Sequence, residues 1–109
     1  MKNKKIAIDL DGTICEEKQT FEKFLAKPIK NAIETINKLY EDNFIIIFTA
    51  RGWQEYNITK AWLEQHKVNH HLLICGKPIY DVIVDDRAIT AKNNWDEISK
   101  KLLNGEQSG

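Results

Sequence analysis

Ile6-Ala7-Ile8-Asp9-Leu10-Asp11-Gly12-Thr13 is the stretch on which the reading of this sequence turns. Its apolar run, Ile6 to Leu10, is too short for a helix and stops at an Asp-Gly pair, which reads as a buried strand ending abruptly in a turn. Two carboxylates, Asp9 and Asp11, therefore stand at a strand's carboxyl end.

Working outward, apolar residues recur at helical spacing from Pro28 through Ile29, Ala32, Ile33, Ile36, Leu39 and Tyr40. Pro28 suits the first turn of that helix. Phe44-Ile45-Ile46-Ile47-Phe48 is β-branched and aromatic without alternation, the pattern of a strand covered on both faces, and it ends at Thr49. A helix is expected over about 55–66, followed by a strand at Leu72-Leu73-Ile74. Val82-Ile83-Val84 reads as a fourth strand closed by Asp85-Asp86, and Trp95 to Leu103 as a last amphipathic helix. Alternating strands and helices predict an α/β, Rossmann-like domain with a mainly parallel sheet and helices on both faces. Residues 1–109 are expected to form a single domain, with 105–109 a frayed tail. In such sheets ligands gather outside the strands' carboxyl ends. Here those ends carry Asp9, Asp11, Thr49, Lys77 and Asp85-Asp86.

Sixteen basic and sixteen acidic residues cancel. No global field draws the chain to nucleic acid or an anionic membrane, so nucleic acid is an unfavoured partner and any anion recognition must be local. The apolar run after Lys4-Lys5 is broken at Asp9, too early for a signal peptide, and no run reaches the length of a membrane span. The two cysteines, Cys15 and Cys75, lack zinc or redox spacing. A soluble cytoplasmic location is the expectation.

Hydrolysis of a phosphate monoester through a covalent intermediate needs a nucleophile, an acid for the leaving oxygen and positive charge against the phosphoryl oxygens. Asp9, held rigidly at a strand end, is the expected nucleophile, and Asp11 the general acid and then base. Crowded carboxylates with all-oxygen ligation call for Mg²⁺, assigned to Asp9, the Asp11 carbonyl, Asp86 and, directly or through water, Asp85. Thr49 and the backbone donors around Gly12 and Thr13 are expected to bind phosphoryl oxygens, with Lys77 as a point charge toward phosphate and Asp9.

These residues resemble the haloacid dehalogenase superfamily of phosphohydrolases. The likeness rests on four motifs in order: Asp9-Leu10-Asp11-Gly12-Thr13, the strand ending at Thr49, Lys77 before Pro78, and Asp85-Asp86. It implies a Rossmann-like core, Mg²⁺ and an aspartyl-phosphate. Thr49-Ala50-Arg51-Gly52 and Asp85-Asp86-Arg87 are similar to small bacterial capsule-biosynthesis phosphatases, which implies a sugar phosphate as the small phosphorylated substrate. They are also similar to the phosphatase domain of polynucleotide kinase-phosphatases, which implies a nucleic-acid 3′-phosphate as the alternative. Neither 14–27 nor 52–76 can hold the cap domain common in the superfamily. A flap from Cys15 to Phe24, or a neighbouring subunit in a homo-oligomer, would then exclude water.

Arg51 and Arg87 read equally as substrate ligands or as partners of nearby carboxylates. Trp53 and Tyr56 read as helix-start packing with stacking on a sugar as the alternative. His66, His70 and His71 read as loop or surface residues, Cys15 as small apolar packing, and Trp62 and Trp95 as core. A phosphoacceptor signalling domain is the competing class, disfavoured because its acidic pair follows the first strand whereas here the pair comes last.

Overall fold

A computed structural model describes residues 1–104, apart from the side chains at positions 20 and 21. The expected fraying of 105–109 lies outside the described residues. Three strands, β1 (Lys5–Asp9), β2 (Phe44–Phe48) and β3 (Leu72–Ile74), alternate with helices α1 (Ala32–Tyr40), α2 (Tyr56–Gln65) and α3 (Trp95–Leu103). The strands are parallel in the order β1-β2-β3, with Ile8 opposite Ile47 and Ile47 opposite Leu73. The fold is α/β with a parallel sheet, as the alternation predicts.

Coverage of the sheet differs from expectation. Ile8, Ile45, Ile47 and Leu73 on one face are buried in a single core with Ile36, Leu39, Trp62, Leu63, Trp95 and Ile98. On the opposite face Ala7 is exposed, and Leu72 and Ile74 keep 42% and 39% of their surface. The reason is topological. Strands that step β1 to β2 to β3 in one direction, joined by right-handed crossovers, place α1 and α2 on the same side. Helix α3 then packs beside α1 on that side, running from Trp95, bonded to the carbonyl of Thr13, back to Leu102, whose carbonyl accepts the Met1 ammonium.

Helix α1 begins at Ala32 rather than at Pro28. Pro28 bridges Cys15 and the Ile29 amide donates to the Ile14 carbonyl, so this segment is extended, and Asn31 turns the chain through a left-handed conformation (φ 67°) before the helix. Asp96 and Glu97 in the first turn of α3, and Lys100 and Lys101 in its last, oppose the helix dipole.

The expected fourth strand does not form. Val82-Ile83-Val84 joins no sheet, and Val84 is 95% exposed. Only seven residues, 75–81, separate the end of β3 from Val82. A parallel return connection takes about a dozen or more. β-Branched composition made the segment strand-like; its tether denies it a parallel place in its own sheet.

Candidate active site

Asp9 ends β1, and its carboxylate faces a cleft of about 980 Å³ at the carboxyl edge of the sheet. The chain then turns tightly. Thr13 and Ile14 both donate their amides to the Leu10 carbonyl, at 3.1 and 2.9 Å, and the Gly12 amide donates to the Cys15 carbonyl at 2.7 Å. Gly12 takes φ +81°, a conformation that side-chain-bearing residues rarely adopt. The amides of Gly12, Thr13 and Ile14 thus bond within the loop.

Asp11 is held by β2. Because Asp9 pairs with Phe48, the residues just beyond β1 and β2 emerge side by side. Arg51 donates to Asp11 through Nε at 2.9 Å to Oδ2 and through Nη2 at 2.7 Å to Oδ1, while Nη1 donates to the Thr59 hydroxyl at 3.1 Å. The Arg51 side chain is 1% exposed. Burial works against its charge, but the hydrogen bonds and negative charge of Asp11 outweigh burial and raise its pKa. The buried Thr49 hydroxyl lies 3.5 Å from Asp11 Oδ2 and accepts the Arg51 amide at 3.2 Å. Thr49 and Arg51 therefore orient Asp11, and Arg51 lines the cleft together with Ala50.

Lys77 arrives from β3. Its amide donates to the Thr49 carbonyl at 2.9 Å, after Gly76 at φ +79° has donated to the Arg51 carbonyl at 2.8 Å. A Cβ on Gly76 would meet the Trp53 indole nitrogen at 3.1 Å, so glycine is required on both counts. The ammonium sits 3.4 Å from Asp9 Oδ1 and over the rings of Phe48 and Tyr80. Burial opposes its charge, and the Tyr80 hydroxyl and the Asp9 carboxylate more than restore it, so its pKa is raised. Lys77 stays a cation throughout the neutral range.

The segment from Glu17 to Lys23 walls the cleft where a flap was expected. Its base is closed by the Glu16 amide on the Lys27 carbonyl at 3.0 Å, and it docks on α2 and the residue before it through the Trp62 indole, which donates to the Ala26 carbonyl at 3.0 Å, and a Lys23–Glu55 ion pair (3.2 Å). Trp53 and Tyr56 stack on each other, centroids 5.9 Å apart, and neither lines the cleft. His71 stacks on Tyr40 and Phe44, and its Nδ1 accepts the Ile45 amide. Burial, with Asp11 second, pushes the Cys15 thiol up to about 12, so it is no nucleophile near neutral pH. Sequence reasoning missed Thr59 and Tyr80. The inward helical position of Thr59 was a usable signal, and Tyr80, three residues past Lys77, had none.

Asp85, Asp86 and Arg87 stand apart from this cluster, contrary to the expected fourth-strand placement. The Arg87 amide donates to Asp85 Oδ1 at 2.7 Å, and the Asp86 and Arg87 side chains, 88% and 90% exposed, pair loosely at 3.8 Å. Among the described residues no three His, Cys, Asp or Glu side chains group as a metal site. Asp9 offers a hard oxygen to the cleft, but both Asp11 oxygens are taken by Arg51, and Lys77 and Arg51 already balance the two charges. The donor set of one chain does not fit Mg²⁺, and the repulsion that argued for a cation is relieved by these two basic residues.

No family model matches the sequence, and no curated protein does. Two solved structures resemble the fold. One is a structural-genomics target from Vibrio cholerae, 25% identical with a TM-score of 0.72, over 98% of this chain and 100% of that one. The other is a chain of the Pnkp1/Rnl/Hen1 RNA repair complex, 18% identical with a TM-score of 0.61, over 99% of this chain and 33% of that one. No helix among the described residues is long and apolar enough to cross a membrane.

Proposed function

We propose that the protein is a phosphomonoester hydrolase whose nucleophile is Asp9, acting on a small phosphorylated metabolite, in first place a sugar phosphate of surface polysaccharide synthesis. The observation that carries this reading is the Asp9 carboxylate, open to the cleft and 3.4 Å from the Lys77 ammonium, with Asp11 fixed two residues on. An Asp9 oxygen attacks phosphorus, the bond to the leaving oxygen breaks, and an acyl phosphate forms on Asp9. Asp11, once one of its oxygens is freed from Arg51 and has taken a proton from solvent, gives that proton to the leaving oxygen and then takes one from the water that attacks the acyl phosphate, releasing inorganic phosphate and restoring Asp9. Arg51 must loosen one of its two bonds to Asp11 during this exchange. Lys77 holds Asp9 in place and offsets charge on the phosphoryl oxygens.

Mg²⁺ stays part of this proposal for the charge that a bound phosphoryl group adds beyond what Lys77 and Arg51 balance. Asp9 and the Asp11 carbonyl would hold it from the loop only if Asp85 and Asp86 were brought beside them. Stripping the protein with EDTA is expected to abolish turnover and Mg²⁺ to restore it.

Release of inorganic phosphate from sugar phosphates, nucleotides and 3′-phosphorylated oligonucleotides tests the reading. Fast release from one class of small metabolite is expected. Turnover confined to the oligonucleotides would replace the substrate with the alternative that the RNA-repair likeness suggests, against which the neutral charge weighs. Phosphoprotein that accumulates without turnover would make the domain a phosphoacceptor.

A further inference from the structure

The segment after Lys77 is unlike the rest of the chain. Ile79 and, beyond Tyr80 and Asp81, the run Val82-Ile83-Val84 are 90%, 77%, 51% and 95% exposed, and clustered exposed apolar side chains mark an interaction site. Val82-Ile83-Val84 is β-branched and outside any sheet. Both its ends are fastened to its own domain, at Lys77 by the bond to the Thr49 carbonyl and at Trp95 by the bond to the Thr13 carbonyl.

A matching vacancy exists on the same molecule. β1 is an edge strand, so the side of Lys5–Asp9 away from β2 has no strand partner among the described residues. An open edge that ends at a catalytic carboxylate is a template for strand addition. The arm's seven-residue tether is too short for a parallel return to its own sheet, which leaves a second copy of the chain as the donor.

We propose that two copies exchange arms, Val82-Ile83-Val84 of each adding in parallel to the free edge of β1 of the other. The acidic pair Asp85-Asp86 of one copy then stands beside Asp9 of its partner, and each site is shared between subunits. The contact is isologous: the same arm and the same edge meet twice about a two-fold axis, and the assembly closes as a dimer. This explains why no three carboxylates group as a cation site among the described residues of one chain while two more stand on an exposed arm.

Assembly can be read without activity. Light scattering is expected to give a dimer for the unaltered chain and a monomer for Val84→Asp, whose circular dichroism should be unchanged because Val84 is 95% exposed. A monomer at concentrations on the order of tens of micromolar in the unaltered chain, or a dimer indifferent to Val84→Asp, would overturn the proposal. A second experiment rests on the reading of Asp9 as nucleophile. Asp9→Asn and Asp86→Asn, each inactive alone, are unfolded together and refolded as a mixture. Arm exchange gives one intact site in every mixed dimer, so about a quarter of full activity returns on random pairing; sites built within one chain return none. If no phosphatase activity exists at all, the light-scattering result still decides the exchange.

Discussion

Arg51 grips both carboxylate oxygens of Asp11, Nε at 2.9 Å and Nη2 at 2.7 Å, across the carboxyl ends of two adjacent parallel strands. The pair is asymmetric in its surroundings: the arginine side chain is 1% exposed and the aspartate 23%. Removing either partner therefore has different consequences.

Asp11→Ala strands a buried guanidinium without its counter-charge, and the expected loss is about 3 kcal/mol in urea unfolding. An unchanged midpoint would mean that water already compensates Arg51. Arg51→Lys keeps the charge but cannot make the two-pronged contact. Its kcat should fall on the order of 10²-fold with KM little altered, because Arg51 faces Asp11. A raised KM at unchanged kcat would return Arg51 to the substrate.

Lys77→Ala should lower kcat on the order of 10²-fold or more and leave the circular dichroism spectrum unchanged, since the ammonium faces Asp9 and the cleft. Lys77→Arg should recover part of the loss. Full activity in Lys77→Ala would place the phosphate's counter-charge elsewhere.

Cys15 links stability to alkaline pH. Its thiol, ordinarily near 9.0, is pushed up to about 12 in the fold, so it stays neutral where the unfolded chain ionises. Above pH 9 the unfolded state binds fewer protons than the native state, and stability falls as pH rises toward 12, by at most about 1.4 kcal/mol per pH unit. Cys15→Ala should flatten that decline; an identical slope in the variant would assign it to other groups.

Much of this was legible in the sequence. The runs at Ile6–Leu10, Phe44–Phe48 and Leu72–Ile74 are strands to within a residue, and Trp95 to Leu103 is a helix as its apolar spacing demanded. The Asp9–Lys77 pairing followed from placing both at strand ends. The Arg51–Asp11 clamp was readable only in part, because strand register, which periodicity does not supply, decides which strand-end residues are neighbours. Val82-Ile83-Val84 shows the opposite limit. Local composition identified strand-forming residues correctly, but a strand exists only with a partner, and the length of the tether, not the side chains, withholds one within the chain. The open face of Leu72 and Ile74 escaped for a similar reason, since a nearly continuous apolar run looks alike whether one face is covered or two.

The most direct test of the central claim is phosphate release by Asp9→Asn beside the unaltered protein, with Mg²⁺ present and folding verified by circular dichroism. The account predicts turnover in the unaltered protein and none above background in the variant. Residual turnover within tenfold of the unaltered protein, roughly 1.4 kcal/mol in the barrier, would mean that the phosphoryl group is not transferred to Asp9.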